Sequence, residues 1–261
     1  LNCKICTADS LSPFSKNLIL GKYTIGYFRC GECGFICTEE PYWLDEAYSA
    51  AITGSDIGLV RRNIRLSGIA ALLIHTFFGS KGHFLDYAGG YGLFVRLMRD
   101  RGFDFRWHDR YCDNLFARGF AGSIAGGESY RLLTAFEVFE HLVDPLDEIE
   151  RMLALSRNIL FTTELVPPDC PKPEQWWYYG TEHGQHISFY TKKSLETIAD
   201  RHGLHFASNG KSMHLLSDRK ISPALFYLLA RYKAAALLSP LLPGSSLLPS
   251  DFAALSPREL R

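Results

Sequence analysis

Two C-x-x-C pairs stand at the beginning of this chain, Cys3/Cys6 and Cys30/Cys33, with twenty-three residues between them. Four thiolates at such spacing suit a tetrahedral metal site better than a set of disulfides. Gly31 and Gly34 follow the second pair and suit the sharp turns of a metal knuckle. The spacing predicts a closed Cys3–Cys6–Cys30–Cys33 zinc site, structural because four protein ligands leave no open position. An iron–sulfur cluster or a redox dithiol pair are the competing uses. Cys37, Cys112 and Cys170 fall outside the pattern and are expected to be structural or incidental.

A second set of residues surrounds a glycine-rich loop, Asp86-Tyr87-Ala88-Gly89-Gly90-Tyr91-Gly92. The apolar run His83–Ala88 before it reads as a buried strand, and Leu93–Arg101 after it as a helix with Phe94, Leu97 and Met98 on one face. A loop of small residues between strand and helix lets the backbone approach a ligand and presents free N–H groups. Asp109 lies seventeen residues past Gly92, at the end of the next strand, where it can accept hydrogen bonds from two ribose hydroxyls. A dinucleotide fingerprint fails here, because the frame Gly90-x-Gly92-x-x-Val95 lacks its third glycine. Asp86 would also repel a pyrophosphate, whereas it suits an ammonium group. A tight turn without a ligand is the plain structural alternative.

Two further segments are rich in groups that move protons. Phe136-Glu137-Val138-Phe139-Glu140-His141-Leu142-Val143-Asp144-Pro145 covers the carboxyl end of a strand, where ligands collect in open α/β sheets. Glu137 and His141 are four apart, so one helical turn would let them share a metal. Alternatively, Glu140 caps the following turn and His141 fills a polar gap. Residues 174–190 then carry Trp176, Trp177, Tyr178, Tyr179, His183, His186 and Tyr190. Aromatic rings supply flat walls for a sugar or ring and a cage for a cation, and histidine can take a proton at neutral pH. His186 is the expected general base, with His141, His183 and Tyr190 as rivals; a His186 that only organises its loop is the alternative.

The glycine loop resembles motif I of class I S-adenosylmethionine (SAM)-dependent methyltransferases, usually D-x-G-x-G-x-G, with Ala88 in place of the first glycine. The Glu137–Pro145 segment resembles the E-V-x-E-H-x-x-D-P stretch of many small-molecule methyltransferases. His186-Ile-Ser-Phe-Tyr-Thr resembles segments of zinc-knuckle methyltransferases, including those acting on nucleotide-linked sugars. The resemblance covers residues 1 to about 210. It implies that Asp86, Ala88, Gly90, Gly92 and Asp109 bind SAM and that Phe136 and Glu137 flank its methionine part. It also implies that Glu140 and His141 face the acceptor. At Ala88 it implies altered loop geometry rather than lost binding.

The elements that must position these groups follow a simple plan. Residues 1–40 read as hairpins around a metal, 41–80 as a helical connector over the cofactor site, 81–215 as the cofactor-binding domain and 216–261 as a helical extension. Further strands are expected at Phe103–Trp107, Arg131–Phe136, Asn158–Thr163 and Leu204–Ala207, and helices at Pro145–Leu155, Ser194–His202 and Ser222–Leu238. Alternating strands and helices predict an α/β fold with a parallel, Rossmann-like sheet covered on both faces.

Lysine plus arginine equals aspartate plus glutamate, at 28 each. That neutrality argues against a broad nucleic-acid surface. No apolar run reaches the ~20 residues that span a bilayer, and no secretory leader is visible, so a cytoplasmic protein with reduced thiols is expected. The expected function is transfer of a methyl group to a small polar acceptor such as a sugar, nucleotide sugar or glycan. An RNA base methyltransferase and an inactive SAM-binding scaffold are the alternatives.

Overall fold

A computed structural model describes residues 1–48, 57–124 and 129–256. In chain order, β1 (Leu11–Ile19), β2 (Tyr23–Cys30) and β3 (Ile36–Thr38) precede two helices, α1 (Leu44–Ala47) and α2 (Leu59–Phe77). The expected connector therefore holds two helices, and residues 49–56 of it lie outside the described residues. Next come β4 (His83–Tyr87), α3 (Leu93–Asp100), β5 (Asp104–His108), β6 (Leu132–Ala135), α4 (Pro145–Leu155) and β7 (Ile159–Thr162). The chain continues through β8 (Ser188–Phe189), α5 (Lys192–Arg201), β9 (His205–Ser208) and β10 (Met213–Ser217), then α6 (Pro223–Leu229), α7 (Tyr232–Leu238) and α8 (Leu248–Leu255).

The main sheet runs β5-β4-β6-β7-β10-β9. Strands β5, β4, β6 and β7 are parallel, while β10 is antiparallel to both β7 and β9. The sheet is thus mixed rather than wholly parallel. Its central strands are buried on both faces, and the two-residue period divides their side chains between two cores. Phe84, Leu132, Leu160 and Leu215 pack with α2, α3 and α6. Leu85, Leu133, Ile159 and Leu216 pack with α4 and α5 on the other face.

A second, four-stranded sheet runs β1-β2-β3-β8. Its last strand comes from the distant aromatic segment: Ile36 pairs with Phe189 and Cys37 with Ser188. The N-terminal lobe and the segment carrying His186 are therefore one sheet.

Three local expectations change. Helix α5 begins at Lys192 rather than Ser194, because Thr191 is its N-cap and Ser194 completes a reciprocal capping box. Strand β10 carries no periodic signal: short and flanked by loop residues, its Met213–Ser217 run shows no alternation, since all five residues are buried. The expected Ser222–Leu238 helix is two helices with a break at Ala230–Arg231. Ser222 caps the first through its side chain, and Arg231 is extended at φ −92°, ψ 135°, which lets α7 turn onto α2. Farther along, Asp251 of α8 is buried against Arg99 and Arg96 of α3. No helix among the described residues is long and apolar enough to cross a membrane.

Candidate active site

The strand β4 ends in the glycine loop, and the loop's shape follows from its small residues. Ala88, Gly90 and Gly92 all have positive φ, at 55°, 54° and 83°. Ala88 thus occupies backbone that favours glycine, and the substitution is accommodated as local strain. Gly89 is required for a different reason: a Cβ there would stand 2.6 Å from Oδ2 of Asp86. The loop is held from both sides. Trp107 Nε1 donates to the Gly90 carbonyl at 2.8 Å, and Oδ2 of Asp109 accepts from the Gly90 amide at 2.9 Å. The other Asp109 oxygen accepts from the amides of Tyr111 and Cys112.

Asp86 is buried beneath the loop and accepts a 2.6 Å hydrogen bond from the Thr134 hydroxyl. Burial pushes its carboxyl up to about 7, and the nearby Asp109 charge adds to the rise. Among the described residues no cation pairs with it.

The loop forms one end of a cleft of ≈ 900 Å³. Asp86, Ala88, Gly90, Asp109, Phe136 and Glu137 line that end. The other end is lined by Tyr48, His141, Trp177, His183 and His186. Leu44, Leu59, Arg62 and Leu66 of the connector helices also line it.

The segment after β6 does not form the helical turn that would pair Glu137 with His141. Glu137 takes φ 55°, and its Oε1 accepts from Thr162 Oγ1 at 2.8 Å. Phe139–His141 then forms a 3-10 turn. Glu140 is fully buried behind the cleft rather than facing it, and neither carboxylate oxygen has a hydrogen-bond partner among the described residues. Burial, with the Glu137 charge, pushes Glu140 up to about 8; the neighbouring Tyr178 and Thr163 hydroxyls, which favour the anion, do not offset this.

Three histidines converge at the other end of the cleft. The rings of His141 and His186 lie 5.0 Å apart, and those of His183 and His186 4.7 Å. Burial lowers all three below the usual imidazole range, His141 to about 4, so they are neutral at pH 7. Nδ1 of His186 donates to the Tyr178 carbonyl at 2.5 Å. A carbonyl only accepts, so the lone pair of His186 is on Nε2. The bend that admits His183 needs Gly180, where a Cβ would come within 2.2 Å of His183 Nε2. Tyr190 does not reach the cleft. Its ring is fully buried against Phe139 and Phe35, and its hydroxyl donates to the Phe139 carbonyl at 3.0 Å. It is a packing residue, contrary to its expected catalytic part.

Several residues that position this end carry no signal in the sequence. Gln185 Nε2 donates to the Ala47 carbonyl, its own carbonyl faces His141 Nδ1, and Tyr48 Oη lies 2.9 Å from that same nitrogen. Trp43 Nε1 donates to the Gly184 carbonyl at 2.8 Å. These contacts join positions from 44 to 141 residues apart, which no local pattern reports.

The four knuckle thiols converge as their spacing predicted. Their Sγ atoms all lie within 4.8 Å of one another, with Cys3–Cys33 at 3.6 Å and Cys6–Cys30 at 3.5 Å. Tetrahedral zinc with Zn–S near 2.3 Å places sulfurs about 3.8 Å apart, so the set fits. The amides of Ile5 and Cys33 point at Cys3 and Cys30 sulfurs, which favours thiolate. The Cys33 contact holds Cys3 down at about 5, while the same contact pushes Cys33 up.

Comparison with known proteins adds the following. A family model described as a methyltransferase domain matches residues 61–209. No curated protein matches the chain by sequence. Among solved structures, the 1,6-didemethyltoxoflavin-N1-methyltransferase of Burkholderia thailandensis, with 1,6-didemethyltoxoflavin and S-adenosylhomocysteine bound, superposes with a TM-score of 0.51 at 12% identity, covering 78% of this chain and 97% of that one. TnmH superposes with a TM-score of 0.48 at 18% identity, covering 69% of this chain and 62% of its own. The magnesium protoporphyrin IX methyltransferase of Synechocystis PCC 6803, with bound S-adenosylhomocysteine, gives 0.47 at 11%, covering 67% and 93%. At 12% identity the likeness to the Burkholderia enzyme is one of fold alone.

Proposed function

This chain belongs to the methyltransferase-domain family, and we propose from that premise that it transfers a methyl group from SAM to a small polar acceptor such as a sugar, nucleotide sugar or glycan. The observation that carries the reading is the single cleft running from the glycine loop to the histidine cluster. It has one end built for a nucleoside and an amino-acid group and another for an acceptor.

Asp109, at the end of β5, offers its carboxylate to the ribose hydroxyls, and the Gly90 amide it holds keeps the loop open beside it. Asp86 supplies the negative charge that the methionine ammonium needs. Phe136 packs edge-to-face on Phe94, at 5.0 Å between centroids, and walls the methionine side together with Glu137. When bound, SAM supplies an electrophilic methyl carbon: as the acceptor oxygen bonds to it, the S–C bond breaks and its electron pair stays on sulfur. The acceptor hydroxyl proton goes to Nε2 of His186, with His141 and His183 beside it. Trp177, at the mouth of the cleft, and Tyr48 provide flat faces for a ring. Alignment provides most of the rate in such a displacement, and the Trp43, Gln185 and Tyr48 contacts are what hold the histidine end in place.

The cysteine set is proposed to hold one structural zinc. The ion would fold the hairpin whose sheet ends in β8, two residues past His186, and so fix that histidine indirectly.

The reading is tested by calorimetry with SAM and S-adenosylhomocysteine, followed by turnover against a panel of sugars, nucleotide sugars and other small acceptors. Binding and methylation of a panel member are expected, with His186→Ala reducing kcat by at least about 100-fold for a lost general base. Absence of binding to both nucleosides would sink the proposal, and full turnover by His186→Ala would remove that residue's role.

A further inference from the structure

We propose that Glu140, His141 and His186 form a second metal site, distinct from the cysteine knuckle, that takes a divalent transition cation of the zinc or iron(II) class. It rests on the reading above only in sharing the acceptor end of the cleft.

The three residues each place one ligand atom within 4.8 Å of the others. Donors around a shared ion, at 2.0–2.2 Å from it, stand about 3–3.5 Å apart, so small side-chain rotations close the set. The Glu140 carboxylate is fully buried; among the described residues no contact of hydrogen-bond geometry reaches either oxygen, and the Tyr178 and Thr163 hydroxyls beside it favour the anion without offsetting its burial. A buried carboxylate so weakly compensated is costly, and a cation shared with the two imidazoles compensates it. Nδ1 of His186 faces the Tyr178 carbonyl, which only accepts, so its lone pair is on Nε2. Nδ1 of His141 lies 3.1 Å from the Gln185 carbonyl and 2.9 Å from Tyr48 Oη; donation to these oxygens leaves its lone pair on Nε2 as well. Donation of the second ring N–H to a backbone carbonyl is the usual support of a metal-bound histidine.

Two imidazoles with one carboxylate favour zinc or iron(II) over magnesium or calcium, which prefer all-oxygen sets. Three protein ligands leave a coordination position open. His141 and His186 line the cleft while Glu140 is buried and does not, so an ion held by the three would be reached from the cleft and could polarise an acceptor oxygen there. A loaded ion occupies Nε2 of His186, so that nitrogen serves as a base only in the metal-free protein.

The sequence spacing hides this site. Glu140 and His141 are adjacent, but His186 arrives through β8 and the Ile187 amide, which donates to the Glu140 carbonyl at 2.8 Å.

The test is metal content of the tag-free full chain, by mass spectrometry after loading with Zn²⁺ and exhaustive dialysis. The proposal expects two ions per chain in the wild type and one in both Glu140→Gln and His186→Ala, with far-ultraviolet dichroism showing that the variants fold. In a Co²⁺ titration, the second equivalent should add visible ligand-field bands without further thiolate charge-transfer absorption, and Glu140→Gln should lack them. One ion per chain in the wild type would overturn the site, as would two in folded variants. These readouts need no turnover, so this site and the methyl-transfer reading can fail separately.

Discussion

The Asp109 carboxylate accepts the Gly90 amide at 2.9 Å, which ties the end of one strand to the loop that follows its neighbour. The same carboxylate is the proposed ribose ligand, so it both shapes the loop and binds. Asp109→Ala should weaken SAM binding by roughly 10- to 100-fold, as expected for lost hydrogen bonds to a charged group. Calorimetry checks this, and an unchanged Kd would reduce Asp109 to a tether of the loop.

Asp86 makes binding depend on pH. Its carboxyl is raised by burial from 3.8 to about 7. Between about pH 4 and 7 the folded protein therefore keeps a proton that the unfolded chain has released. The stability contributed by this group is full below about pH 4 and is lost as pH rises through 7. An ammonium placed beside Asp86 reverses the shift, so SAM binding near pH 6.5 should release a proton and strengthen as pH rises. Calorimetry in buffers of different ionisation enthalpy measures the release, which Asp86→Asn should diminish.

Ala88 sits at φ 55°, where a β-carbon is unfavourable. Ala88→Gly should stabilise the free protein by roughly 0.5–1 kcal/mol, the relief of native strain exceeding the added entropy of the unfolded chain. Urea denaturation gives the sign; a destabilised variant would mean that Ala88 contributes packing that its exposure does not suggest.

Arg99 and Asp251 are both buried and bonded through two parallel contacts, at 2.9 and 2.7 Å. Removing one partner leaves a buried charge, which typically costs about 3–5 kcal/mol. Asp251→Ala should fall near the lower bound, since Arg99 keeps Asp104, the Phe105 carbonyl and the Phe120 ring. The fall in denaturation midpoint would show that the C-terminal helices are part of the folded unit.

The knuckle is coupled to the rest of the molecule through α5. Thr191, the cap of that helix, donates its hydroxyl to the Cys33 carbonyl at 2.6 Å. Cys33→Ser, or strong chelation, should release the knuckle zinc and lower the thermal midpoint by several degrees, because ligand binding there is linked to folding. A colorimetric zinc assay run beside the melt checks both; zinc release without any shift would separate the knuckle from the fold.

What the sequence determined by itself is what short spacing encodes. The two C-x-x-C pairs, the strand–glycine–helix run from His83 to Asp100 and the acid after the second strand are set by chemistry within a few residues of each other. Helix α4 is likewise bounded locally, by Pro145 at its first turn and by the end of its apolar period at Leu155. Tertiary structure decided what depends on partners far along the chain. Glu137 followed Thr162 and left the helical turn that would have paired it with His141. Tyr190 went to the core because Phe35, from the N-terminal lobe, packs on its ring. Glu140, His141 and His186 met because the segment entering β8 binds the Phe139–Leu142 turn through the Ile187 amide and the Ser188 hydroxyl, while β8 itself pairs with β3, an antiparallel contact across some 150 residues. Such pairing is fixed by burial and register in the assembled sheet, which no periodicity within either strand can express.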